Sequence, residues 1–129
     1  MTEADLKRDL VRQLLKEGDF ARRLEDKFAI GTLDLLLVTQ LYTIYAEAKL
    51  LKDIVALPAT AKQRDQIKLF NDVGNMRACA LVLGYRDKSI GFGLPGQHWT
   101  KHYVMPWPTI NLAHHLNEAV AAIFTKELV

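Results

Sequence analysis

The 129-residue chain has almost nothing that could hold it together from outside a packed core. Its single cysteine, Cys79, excludes an internal disulfide framework and cannot form a zinc site by itself, which points to a reducing compartment. With four prolines and seven glycines it is neither collagen-like nor a linker. No apolar run approaches the roughly 20 residues that span a bilayer. The charged opening from Met1 to Asp9 is unlike a secretory signal. Neither sign of charge dominates: 17 Lys+Arg stand against 15 Asp+Glu, a balance of +2 that neither announces nucleic acid nor repels it. What is present is an average globular composition, 50% hydrophobic and 25% charged, long enough for one core. The expectation is a single domain over residues 1–129, soluble, cytoplasmic and without a membrane partner.

Apolar residues Leu6, Leu10, Val11, Leu14 and Leu15 recur at helical spacing between Glu3 and Glu17, with Thr2 as a cap and Gly18 as a stop. A strand is expected somewhere in Phe20–Ile30. Leu33–Val38 and Tyr42–Ala46 are short, β-prone runs that read as a hairpin. Leu50–Ala59 is a connection whose apolar pairs either prolong the strand or form a helical turn. Thr60 caps a helix reaching about Asn71, with Ile67 and Phe70 inward and Gly74 as its stop. Arg77–Leu83, nearly all apolar, suits a strand buried on both faces. Asp87-Lys88 is a turn, and Ser89–Leu94 is one more short strand. Gln97–Pro108 is irregular, because Pro106 and Pro108 break a ladder. A last helix runs from about Ile110 to Leu128, with Leu112, Leu116, Val120, Ile123 and Phe124 on one stripe. The sum is an α/β domain with an αβββαβ core, a mixed central sheet flanked by helices, and a C-terminal helix. That last stripe is more than so small a domain is expected to bury alone, which suggests a symmetric dimer.

Chemistry concentrates in the hairpin. A two-residue turn pairing Thr39 with Tyr42 sets Asp34 directly opposite Glu47, where Cβ atoms lie about 5 Å apart. A four-residue loop keeps that register, whereas a three- or five-residue loop breaks it. Lys49, two residues past Glu47, falls on the same face. Two opposed carboxylates at the ends of apolar strands repel unless a hard cation such as Mg²⁺ joins them, with the Ala48 carbonyl as a further oxygen ligand. Metal, water and an ammonium are the requirements of phosphodiester hydrolysis. Glu25-Asp26-Lys27 repeats the Glu-x-Lys spacing but lacks an apolar strand and an acidic partner strand. Surface charges at strand ends are the competing explanation for the Asp34, Glu47 and Lys49 set.

Gly31-x-x-Asp34, a hydrophobic strand, and then Glu47-x-Lys49 closing the next strand resemble the core of the PD-(D/E)XK nuclease superfamily. Leu33 stands where that family has proline. Gln63, followed by Ile67, Phe70 and Gly74, resembles the Gln-led helix of the VRR-Nuc branch. Archaeal Holliday-junction resolvases are similar in size and in the helix–strand–strand opening. The resemblance covers roughly Glu3 to Leu83. It implies a restriction-endonuclease-like fold and a Mg²⁺-dependent DNA endonuclease, with Mn²⁺ substituting, that acts on branched or structured DNA; a homodimer, suggested by the last helix, would suit symmetric cutting of two strands. It further implies that Asp34 and Glu47 bind the metal and Lys49 activates or positions water. Glu3 would support the metal or its waters, with Asp5 and Asp9 as competitors, and Gln63 would hold the lysine, water or phosphate. The alternative is a nuclease-like DNA-binding or assembly module with little cleavage.

Around this set, Arg22, Arg23, Lys27, Lys52, Lys62 and Arg64 suit phosphate contact, or equally a solvated charged face. His98, His102, His114 and His115 have no zinc spacing. Cys79, within an apolar strand, reads as inert core. Trp99, Tyr103 and Trp107 read as packing beneath a loop, with base stacking as the functional alternative.

Overall fold

The computed structural model describes residues 1–24, 33–52, 57–73, 77–97 and 104–127. Helix α1 (Glu3–Lys16) begins at a reciprocal cap: the Thr2 hydroxyl accepts from the Asp5 N–H, and the Asp5 carboxylate accepts from the Thr2 N–H. It ends at Gly18, whose φ of 91° is the left-handed step that a side chain would resist. Strands β1 (Phe20–Arg23), β2 (Leu35–Val38) and β3 (Thr43–Leu50) follow, then helix α2 (Ala61–Val73). Strands β4 (Ala78–Arg86), β5 (Ser89–Gly93) and β6 (Val104–Pro106) and helix α3 (Leu112–Glu127) complete the chain.

All six strands form one sheet in sequence order. Among the described residues only β3 and β4 run parallel, and α2 supplies the long crossover that parallel neighbours need. Side-chain alternation divides the sheet into two packed faces. On one, Leu35, Leu37, Ile44, Ala46, Ala48, Leu81 and Leu83 meet the Leu6–Leu10–Leu14 stripe of α1 and the Leu112–Leu116–Val120–Ile123 stripe of α3. On the other, Tyr45, Ala80 and Val82 meet Ile67 and Phe70 of α2, together with Leu33 and Leu57. Polar side chains fix the helices to this frame. Glu17 accepts from the Leu112 and Ala113 N–H groups at 2.8 Å each, capping α3 from the end of α1. Asn71 of α2 accepts from the Ala80 N–H and donates to its carbonyl, at 2.7 and 3.0 Å. The α/β class, the αβββαβ order and the mixed sheet flanked by helices are as the sequence predicts.

Four expectations need correction. The strand expected to stop at Leu83 runs to Arg86, because Asp87 and Lys88 (φ 49° and 60°) form a tight hairpin turn into β5. The segment expected to be irregular contains β6, which pairs with β5 through Ser89↔Pro106 and Ile90↔Met105. Proline is tolerated there because β6 is an edge strand and needs no donor on its open side. The stripe of α3 is buried within this chain, Leu112, Leu116, Val120 and Ile123 all being nearly inaccessible. That stripe is therefore unavailable for joining two copies. Finally, β2 starts at Leu35, so Leu33 and Asp34 sit just ahead of it. The sequence-predicted strand beyond Leu24, Glu25-Asp26-Lys27, Gly31, Gly74, His98, Trp99, His102 and Tyr103 lie outside the described residues.

Candidate active site at the β2–β3 strand ends

The hairpin register is the one the acids require. Leu35 pairs with Ala46 and Val38 with Thr43, and Thr39 N–H donates to the Tyr42 carbonyl at 2.9 Å. The turn has no glycine; the Thr39 hydroxyl closes it by accepting from the Leu41 and Tyr42 N–H groups and donating to Asn117 of α3 at 2.6 Å. One step back along the register, Asp34 stands against Glu47, and its N–H donates to Glu47 Oε2 at 3.2 Å. Lys49 Nζ lies 3.5 Å from Glu47 Oε1. The predicted trio is thus assembled on the α2 side of the sheet, while Ala48, between Glu47 and Lys49, sends its methyl into the opposite core.

Glu47 is 3% exposed. Burial, reinforced by the neighbouring Asp34 carboxylate, pushes its carboxyl up to about 8, against the smaller opposing pull of Lys49 and Lys7. A buried acid held this far from its ordinary range is under electrostatic load that a cation would relieve. Asp34 gives a second sign. Lys7 Nζ of α1 lies 3.0 Å from Asp34 Oδ2, a buried oxygen that has this ammonium beside it and no other partner. Two hard carboxylates side by side, one buried and held far from its ordinary range, fit a divalent cation. Among the described residues no three His, Cys, Asp or Glu side chains converge.

Lys7 is the residue that sequence reasoning missed. It lies one helical turn after Glu3, the acid expected in this place, and no hydrogen bond or ion pair ties Glu3 to Asp34 or Glu47. Asp5 and Asp9 are engaged elsewhere, in the Thr2 cap and with Arg8. The available signal was position: Lys7 borders the Leu6–Leu10–Leu14 stripe, so its stem had to run along the sheet. Gln63 is buried on α2, but its carboxamide oxygen accepts from the Thr60 N–H at 3.0 Å while its own N–H donates to the Thr60 hydroxyl at 3.2 Å. It is the far half of a capping box, and among the described residues no hydrogen bond joins it to Lys49.

The basic residues divide. Arg22, in register with Leu36, falls on the same side of the sheet as Asp34, whereas Arg23, in register with Leu35, falls on the α1 side. Lys52, Lys62 and Arg64 are exposed, and Lys27 lies outside the described residues. Cys79 is buried, its thiol pushed up to about 12 by burial, as suits inert core. Trp107 is packed into the main core. Among the described residues no helix is long and apolar enough to cross a membrane.

No family model matches the chain, and none of the curated proteins does. Among solved structures, the chain is similar to Hjc, a Holliday junction resolvase from the archaeal hyperthermophile Archaeoglobus fulgidus. The match has a TM-score of 0.56 and 21% identity, and covers 88% of this chain and 98% of that one. The two share a fold over nearly the whole resolvase.

Proposed function

We propose that this chain is a divalent-metal-dependent DNA endonuclease of the PD-(D/E)XK type that cuts branched DNA. One observation carries the reading: Asp34, Glu47 and Lys49 converge on one face of the sheet, in a fold shared with a Holliday junction resolvase. Asp34, Glu47 and the Ala48 carbonyl would hold Mg²⁺, with Mn²⁺ as a substitute. Such an ion, when bound, acidifies water and neutralises phosphate charge. The chain's own residues do the rest. Lys49 orients the water for in-line attack on phosphorus and offsets charge on the phosphate. Its ammonium beside Glu47 Oε1 also favours the ionised carboxylate that metal binding needs. Gln63 places the first turn of α2, and Glu3 has a supporting role at most, since Lys7 takes the place beside Asp34.

The resolvase type suits the chain better than the VRR-Nuc type, because the glutamine that suggests the latter is used in a helix cap. Exposed Arg22, Lys52, Lys62 and Arg64 supply phosphate contacts around the site. A second copy of the chain, cutting the opposing strand, belongs to this reading. A catalytically weak DNA-binding or assembly module is the alternative, favoured by Lys7 standing against a would-be metal ligand. Incubation of the protein with a four-way junction, duplex and single-stranded DNA separates the two. The endonuclease cuts the junction with Mg²⁺ or Mn²⁺ and not with chelator, and Lys49→Ala abolishes cutting while DNA binding persists. No cleavage of any substrate with either metal establishes the weak module, and a Lys49→Ala variant as fast as the parent removes the assigned role of the lysine.

A further inference from the structure

Four charged groups meet at the strand ends, in two ion pairs. Lys7 Nζ is 3.0 Å from Asp34 Oδ2, and Lys49 Nζ is 3.5 Å from Glu47 Oε1. The side chains of Lys7 and Asp34 are 17% and 21% exposed, so solvent screens their contact only partly. The two ammonium groups differ in origin. Lys49 shares strand β3 with Glu47, whereas Lys7 is delivered by α1, whose Leu6 and Leu10 on either side are wholly buried. That packing restricts how far Lys7 can withdraw. The charges of two acids and two amines cancel when both acids are ionised. One divalent cation then brings the cluster to the charge that a phosphodiester partly offsets; a second would add two more positive charges beside the ammonium held at Asp34.

We propose that Lys7 is a built-in cation of this site, occupying the Oδ2 side of Asp34 so that the cluster takes a single divalent ion and takes it weakly. This rests on the metal-binding reading above and adds to it the number of ions and a positioning role for Lys7. Removing the ammonium frees Asp34 Oδ2 and takes away a like charge, and both effects favour divalent binding.

The test is Mn²⁺ binding to the full chain without DNA, followed by titration calorimetry and by electron paramagnetic resonance of the free ion. The native protein should bind one Mn²⁺ per chain. Lys7→Gln should bind the first Mn²⁺ more tightly, by on the order of tenfold or more, and accept a second at higher concentration. Lys7→Arg, which restores the charge, should return to one ion with native affinity; a purely structural role for the side chain would not produce that reversal. Two ions on the native chain, or a first-ion affinity unchanged in Lys7→Gln, overturns the proposal for Lys7 while leaving the metal site standing. Absence of Mn²⁺ binding in native and variant chains alike overturns both readings together.

Discussion

Glu47 shows how a single residue can be costly to the fold and yet suited to chemistry. Its carboxyl is buried, with one N–H and one ammonium as its partners. Burial and the adjacent Asp34 raise its ionisation from 4.5 to about 8. For an acid whose folded value lies above its unfolded one, the protonated form favours folding. That contribution is complete below about pH 4.5 and is lost as pH climbs towards 8. Glu47→Gln mimics the protonated acid and titrates nowhere. Without metal, the variant should therefore equal the native chain in stability near pH 4.5 and exceed it at pH 8. Urea denaturation at the two pH values measures the difference, which cancels the titration of groups remote from this cluster. Saturating Mg²⁺ should reverse the order at pH 8, since only the native carboxylate gains a bound cation. A variant no more stable at pH 8 in chelator would mean that the buried carboxyl carries no such load. Glu3→Gln, at a position with no tie to the acids, should impair cleavage less than Glu47→Gln.

At the scale of elements, helix α2 separates two meanings of one residue. Gln63 is the third residue of the first turn, and both halves of its box with Thr60 are made. If its work is to start the helix, Gln63→Glu, which can rebuild the box, should leave cleavage within about twofold, while Thr60→Ala should cost about 1 kcal/mol of stability. Cleavage falling a hundredfold in Gln63→Glu, with the melting temperature unchanged, would return the side chain to the chemistry. Element ends set by local chemistry were readable in this way: Thr2, Gly18 and Thr60 all act where their residue types predict. The hairpin was readable up to its loop length. Its register follows once the loop length is given: the Asp34–Glu47 pairing holds for a two-residue turn and not for a three-residue one, and it is the Thr39 hydroxyl, seen only in the fold, that closes the two-residue turn. Strand β6 could not be read, because its pairing belongs to β5 and its prolines argue against a ladder unless the strand is known to be an edge. Lys7 was hidden for a similar reason: nothing within a helix tells which strand end its flank will meet.

Over the whole molecule, the arrangement of charge matters more than its sum. A balance of +2 is too small to steer a polyanion, so DNA affinity must come from where the cations lie. Lys62 and Arg64 are exposed on α2, the helix that covers the same side of the sheet as Asp34, Glu47 and Lys49. Arg64 is anchored to that position by Nε, which donates to the Ala59 carbonyl at 3.3 Å. Arg23 projects to the α1 side, away from the acids. Each phosphate contact releases counterions and contributes about 0.9 to the slope of log affinity against log salt concentration. Replacing Lys62 and Arg64 together by Gln should therefore flatten that slope by about 2 and weaken binding alike across DNA sequences, since phosphate contacts carry no sequence information directly. Arg23→Gln should leave the slope within error. Fluorescence anisotropy with a labelled four-way junction, between 50 and 300 mM salt on the order of the usual working range, compares the three chains directly. Equal slopes for the double variant and the native chain would move the DNA path off α2. A slope lost in Arg23→Gln instead would place the duplex across the α1 side, and the acids at the β2–β3 strand ends would then face away from the backbone they are proposed to cut.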